Sequence, residues 1–458
     1  MLAPVNRREL LKCAGCSLLA ACGASLWGEH GSDSPPLTSC ELAELTRRAR
    51  ASLEANIIKV GGKAYLSAGY HQFRSLWTRD FCWSANALLR IGRFDVVRNQ
   101  LERLMCNIGE SGKAEGVIPR SLDNRDVAWR TGLGAILQVR QSIEEPLRAE
   151  WLDQHHNIAI DGNALVIIAV KAYVRATANP QLWNDNREQL RRVLRFYDAP
   201  GRRGFRGLII QPEYSDWQDS LKRDRETFYT NLLYATALEA VVDDTFFGVT
   251  PDQIRAFRHT INEVFFDRGT CLYRSLRDIS TTCLDDNLLA IELGHAQDPI
   301  GLYRALSQHP LWIDDAGPGF VSLDTYDTAA EAPQFWFNLR DYHTQLYWSW
   351  LMALAARIAS RMGDDLAASR ILAELLRMAR RDGAIAEVYQ HTPSHPMVHR
   401  LGYTSEAPFS WGSAMVVETV SEVMMGQTRC PRETGLNATA AKGDRLPEQV
   451  GDCGGRDS

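Results

Sequence analysis

Twelve segments of this 458-residue chain place apolar residues at helical spacing, and they follow one another in pairs with few strand-like runs between them. They span residues 41–57, 80–92, 94–108, 157–177, 183–197, 227–242, 251–264, 284–294, 299–307, 343–361, 365–380 and 411–424. The intervening loops are long and hold Trp, Asp, Glu, His and Gly where a structural turn needs only turn residues. Paired helices with the reactive side chains gathered in their connections predict an all-α fold, an (α/α)6 toroid whose helix ends surround one funnel. No internal repeat is visible in the sequence, and an open helical solenoid is the competing architecture.

Length alone, at about 150 residues per domain, suggests three domains, a prior that large single barrels break routinely. A hydrophobic share of 45% and a charged share of 23% exclude collagen-like, disulfide-mini-protein and wholly disordered classes. The formal charge of -5 gives no basic surface for phosphates, so nucleic acid is not an expected partner. Arg202-Arg203 and Arg380-Arg381 read as solvated helix ends or turns.

The first residues read as an address. Asn6-Arg7-Arg8-Glu9-Leu10-Leu11-Lys12 precedes the apolar stretch Cys13 to Ala21, too short to cross a hydrocarbon layer of roughly 30 Å. Leu19-Ala20-Ala21-Cys22 resembles the lipobox of bacterial lipoproteins, which implies removal of residues 1–21 and a lipid anchor on Cys22. A secretory signal cut elsewhere is the plainer alternative. Cleavage at that point takes away a net charge of +2 and leaves about -7. A Gly-, Ser- and Pro-rich stretch then reads as a tether over 22–40, and 427–458 as a disordered tail, with 41–426 as one catalytic body. Cys40, Cys82, Cys106, Cys271, Cys283, Cys430 and Cys453 show no metal spacing, so one or two disulfides with buried free thiols are expected rather than a zinc site.

Three constellations carry chemistry. Trp77-Thr78-Arg79-Asp80 opens a helix: Asp80 alone reads as an N-cap, but an Arg/Asp fork beside an aromatic face also suits the hydroxyls and apolar side of a sugar. Tyr214-Ser215-Asp216-Trp217-Gln218-Asp219 sets two carboxylates around a Trp, an arrangement that keeps a general acid protonated near neutrality; a solvent loop with an Asx turn is the bland reading. The third is Ala386-Glu387-Val388 with Glu406-Ala407-Pro408-Phe409-Ser410-Trp411 downstream. A Glu between apolar neighbours is costly unless it is ion-paired or working.

Trp77-Thr78-Arg79-Asp80 resembles the sugar-binding motif of glucoamylases, and Ala386-Glu387 followed by Phe409-Ser410-Trp411-Gly412 resembles their base motif and trailing helix. Trp217-Gln218-Asp219 is similar to the Trp-Met-Asp acid motif of the amylo-α-1,6-glucosidase (debranching) family. Both belong to the six-hairpin glycosidases, and the resemblance spans about residues 60–425. It implies Asp219 as general acid, Glu387 as general base, Arg79 and Asp80 as a clamp on the terminal sugar, and no metal or cofactor. The two carboxyls then stand roughly 6.5 to 9.5 Å apart and the anomeric configuration inverts. Asp161 resembles the start of a mid-barrel helix that lines the funnel, and Tyr342-His343 resembles a Tyr-His-Asn-Gly-Gly substrate loop.

Gln218 stands between Trp217 and the acid, which leaves Asp216 as a second candidate acid; Glu406 is likewise a second candidate base. Thr344-Gln345-Leu346 replaces the small glycine pair after Tyr342-His343 and reshapes a subsite. The expected function is an exo-acting inverting hydrolase of α-glucosides or related oligosaccharides, exported and lipid-anchored to a bacterial membrane on its periplasmic or cell-surface side. Two other classes compete: a non-catalytic carbohydrate-binding lipoprotein, and a polysaccharide lyase or epimerase using Tyr342 and His343 as a base pair.

Overall fold

The computed structural model describes residues 37–125, 142–153, 155–309, 312, 339–392 and 394–428. The expected export signal 1–21, Cys22, most of the tether and the tail beyond residue 428 lie outside the described residues. Thirteen helices are present among the described residues: α1 (Ser39–Ala55), α2 (Thr78–Arg90), α3 (Phe94–Met105), α4 (Asp161–Thr177), α5 (Gln181–Asp185), α6 (Arg187–Arg195), α7 (Phe228–Val241), α8 (Pro251–Phe265), α9 (Leu284–Glu292), α10 (Pro299–Ser307), α11 (Ser349–Arg361), α12 (Asp365–Asp382) and α13 (Ser410–Thr428).

Six of them, α2, α4, α7, α9, α11 and α13, form an inner ring in which each packs on the next and α13 returns to α2. That closure decides for the toroid over an open solenoid. An isolated antiparallel bridge between Gly69 and Phe409 lies at the seam: the Ser410 amide donates to the Ala68 carbonyl at 2.9 Å, and Asn56 Nδ2 donates to the Pro408 carbonyl and to Ser410 Oγ. Sequence explains which helices go inside. α7 and α11 are apolar around nearly their whole circumference and are buried accordingly, as a helix surrounded by other helices must be. Outer helices show a single stripe, such as Ile371, Leu372, Leu375, Leu376 and Ala379 of α12. The inner pair α11 and α13 approaches closely because residue 412 is glycine; a Cβ there would lie 1.9 Å from Ser349 Oγ.

Side-chain caps occur on some of the outer helices. Outer helices α1 and α8 carry complete capping boxes, Thr38 with Glu41 and Thr250 with Gln253, and α10 and α12 are capped by Asp298 and Asp364. Inner helices α2, α4, α7, α9 and α11 have no side-chain cap at their N-termini. Those N-termini lie together, so their first turns present functional side chains to one another.

Periodicity located the helices to within a few residues, and the departures have local causes. The segment expected from 343 becomes helical only at Ser349, because Tyr347–Trp348 pairs as a strand with Val388–Tyr389. The segment expected from 157 begins at Asp161, since Ile158 bridges to Leu152 and the Ile160 amide donates to the Ser215 carbonyl. The segment 183–197 breaks at Asn186, whose φ of -118° is not helical. Among the described residues, strands of two to five residues, too short to show a period of two, supply six small sheets. The tether assigned through residue 40 gives way earlier, to the capped start of α1 at Ser39. Where disulfides were expected, Cys40, Cys82 and Cys106 are free thiols; Cys430 and Cys453 lie outside the described residues.

Candidate active site

The first turns of the inner helices build one side of the site. Arg79 of α2 forms a two-pronged pair with Asp161 of α4, Nε to Oδ2 at 2.6 Å and Nη2 to Oδ1 at 3.1 Å. Tyr229 of α7 donates to the same carboxylate at 3.2 Å. The fork expected between Arg79 and Asp80 is therefore made with Asp161, whose side chain is fully buried. Asp80 sits in the first turn of α2; burial pushes its carboxyl up to about 7, against the pull of Arg79. Arg79 and Asp161 line a cavity together with Trp77, Arg120, Tyr214 and Asp219.

The loop before α7 turns its residues in different directions. Asp216, Trp217 and Gln218 are buried and Asp219 alone opens to the cavity, with 36% of its side chain accessible. Asp219 stands 3.8 Å from Arg79 Nη1. The enclosing protein raises its pKa to about 6, Arg79 and Arg120 oppose that rise, and the charges of Asp216 and Asp153 add to it. Asp216, the other candidate acid, is shut away: it accepts from Gln211 Nε2 and from the Gln218 amide, both at 3.0 Å, and pairs with the fully buried Arg223 at 3.4 Å. Trp217 packs edge-on against Trp350, Trp348 and His343 at 4.9, 5.4 and 5.1 Å.

Glu387 is buried and is held by a different element. The strand pair Tyr347–Trp348 with Val388–Tyr389 places it beside the start of α11, where the Ser349 amide donates to its carbonyl. Its buried carboxylate accepts from Tyr342 Oη at Oε1 and from Tyr403 Oη at Oε2, the latter at 2.8 Å. Burial lifts its pKa to about 8; the two tyrosine hydroxyls oppose the rise and Glu406 adds to it. Tyr342 also feels the charge of Asp219, so one ring links the two carboxyls electrostatically.

Glu406, the other candidate base, is fully engaged elsewhere. Its Oε1 accepts the amides of Tyr70 and His71 and its Oε2 that of Phe73 at 3.1 Å, a cage of backbone donors that clamps the 68–75 loop. Residue 69 must be glycine for this approach, since a Cβ would lie 2.1 Å from Glu406 Cγ. Trp411, expected at the sugar, is instead buried below it, stacked on Trp350 at 4.3 Å and on Trp83 at 5.8 Å. His343 stacks on Trp348 at 5.2 Å and its Nδ1 meets Ser220 Oγ at 2.6 Å. Burial, with Arg79 and Arg223 nearby, holds the imidazole neutral far below its ordinary pKa. Tyr342 thus bonds Glu387, and His343 bonds Ser220.

Sequence reasoning missed Arg120, Tyr229, Tyr403, Arg223 and Asp285. Arg120 lies 5.0 Å over the Trp77 ring, placed there by the strand pairing of Leu76–Trp77 with Ser121–Leu122. No local pattern marks it; only Tyr403, in the short strand Tyr403–Thr404 just before Glu406, lay near a motif. Among the described residues no group of three His, Cys, Asp or Glu side chains is arranged to hold a metal ion.

No protein-family model and no curated protein sequence matches the chain. Solved structures do. A glycosidase in complex with glucose superposes with a TM-score of 0.57 at 18% identity, covering 85% of this chain and 99% of its own. A rhamnosidase from Klebsiella oxytoca with rhamnose bound gives 0.55 at 15% identity, covering 85% of this chain and 65% of its own. A mannosylglycerate hydrolase from Thermus thermophilus in complex with Tris and D-glycerate gives 0.52 at 13%, covering 81% and 99%. The inner ring, the closure of α13 on α2 and these neighbours agree: the chain folds as an (α/α)6 toroid.

Proposed function

We propose that the protein is an inverting glycoside hydrolase acting on α-glucosides or related oligosaccharides, with Asp219 as general acid and Glu387 as general base. The observation that carries this reading is the selective exposure of Asp219: of four consecutive side chains it alone faces the cavity, beside an Arg79 held rigid by Asp161. Asp219 donates its proton to the leaving-group oxygen, while Glu387 takes a proton from the attacking water on the opposite face. Arg79 and Trp77 bind the sugar's hydroxyls and its apolar face. A panel of α-linked disaccharides and oligosaccharides tests this: free monosaccharide accumulates with wild-type protein. Saturable binding with no product after long incubation would instead establish a carbohydrate-binding protein.

The pKa values set the pH dependence. Asp219 must be protonated and titrates near 6, so activity falls as pH rises through 6; Glu387 must be ionised and titrates near 8, so activity falls as pH drops below 8. Because the base titrates above the acid, only about one in a hundred of the singly protonated pairs carries its proton on Asp219. The kcat/KM profile is a bell centred near pH 7 with limbs at about 6 and about 8. A single-limbed profile would show that one of the two carboxyls does not take part.

The anchor belongs to the same proposal. In a bacterial host with lipoprotein processing, full-length protein takes up a labelled acyl chain and partitions into detergent, and Cys22→Ser does neither. Equal labelling of Cys22→Ser would place any lipid elsewhere.

A further inference from the structure

The loop that carries Asp219 is held from below by a helix to which no role has yet been given. Trp217 Nε1 donates to Asp285 Oδ2 at 2.7 Å, and Gln218 Nε2 donates to the same oxygen at 3.1 Å. These are the two residues immediately before Asp219, whereas Asp285 comes from the first turn of α9, 67 positions beyond Gln218. The far end of the Gln218 amide accepts from Arg223 Nη1, and its backbone N–H donates to Asp216. Arg223 in turn lies 3.4 Å from both Asp216 and Asp286. Every one of these side chains is shut off from solvent.

Three buried carboxyls around one buried guanidinium are expensive, and apolar residues of similar volume would pack there at lower cost. Helix capping does not account for Asp285, because α9 takes no side-chain cap and the Asp285 Oδ2 bonds run to the acid loop. Asp285 itself has no surface on the cavity. What its two bonds fix is the direction of residues 217 and 218, and therefore the face on which residue 219 emerges. The glutamine that departs from the related Trp-Met-Asp motif thus has a partner here: an amide can bond Asp285 at one end and Arg223 at the other, which a methionine cannot.

We propose that Asp285 is a positioning residue for Asp219, acting through Trp217 and Gln218; the inference rests on the reading of Asp219 as the general acid. Misplacing a reacting group by about 1 Å costs on the order of 100-fold. Asp285→Ala is therefore expected to lower kcat about 10- to 100-fold with KM within about threefold, and Gln218→Met to lower kcat comparably. Because the two residues share one bond, the Asp285→Ala/Gln218→Met double variant loses less than the product of the two single losses. Asp285→Asn, whose carbonyl oxygen can accept from both donors as Oδ2 does, recovers most of the rate. If Asp285→Ala does not fold, Asp285→Leu fills the space and takes its place in the cycle.

The assay uses the wild-type substrate and runs Asp219→Asn alongside. Losses that multiply in the double variant, or an Asp285→Ala kcat equal to wild type, overturn the proposal while an inactive Asp219→Asn leaves the acid assignment standing. Wild-type turnover retained by Asp219→Asn removes the acid assignment and this inference with it.

Discussion

Asp219→Asn lowers turnover on a sugar with a poor leaving group by roughly 100- to 10,000-fold, with the thermal unfolding transition unchanged. The loss shrinks on an aryl glycoside with a good leaving group, because such an aglycone departs with little help from a proton. Glu387→Gln behaves differently: its loss is equally large on both substrates, since water must be activated in either case. This contrast assigns roles rather than mere importance. It is needed because the proton of the free pair resides mainly on Glu387, so pKa order alone does not identify the acid. Equal losses on both substrates for Asp219→Asn would move it out of the acid role.

The second large effect concerns folding, and it separates the two glutamates near the base position. Glu406→Gln leaves one acceptor oxygen where the amides of Tyr70, His71 and Phe73 now find two, so at least one buried N–H loses its partner. An unsatisfied buried donor costs about 1–3 kcal/mol, and Gly69→Ala, which drives a Cβ into the same carboxylate, adds a steric penalty on the same loop. Both variants unfold earlier in denaturant than wild type. Glu387→Gln goes the other way at alkaline pH. Its carboxyl has a folded-state pKa raised from 4.5 to about 8, so the wild-type protein binds an extra proton below pH 8 and loses stability as pH rises through that value. Between pH 6.5 and 8.5 that loss is about 2 kcal/mol. Glu387→Gln does not titrate there, so its stability curve is flatter over the same interval. Parallel curves for the two proteins would mean that Glu387 is not held in a poorly solvated site.

The fold was more legible than the site, for a physical reason. Helical periodicity is written by burial on one face, and α12 or α8 shows it plainly. The motifs that nominate Arg79, Asp80, Asp219 and Glu387 stand out in the sequence because residue types of that chemistry cluster within a few positions. The ambiguities between Asp216 and Asp219, and between Glu387 and Glu406, could not be settled from spacing. Each depends on which carboxylate meets a distant partner: Arg223 claims Asp216, and the amides of residues 70, 71 and 73 claim Glu406. Trp411 misled for the same reason, because an aromatic residue at a helix start looks alike whether it covers a sugar or stacks on Trp350. Arg120 and Asp285 lie in segments without a motif, and tertiary pairing alone brings them into place.

The opposed roles of Asp219 and Glu387 are tested most directly by proton NMR of the first sugar released from a cleaved α-linked disaccharide, recorded before mutarotation. The β-anomer appears first if water attacks the face opposite the leaving group. Release of the α-anomer would contradict the assignment of Glu387 as a base acting on water.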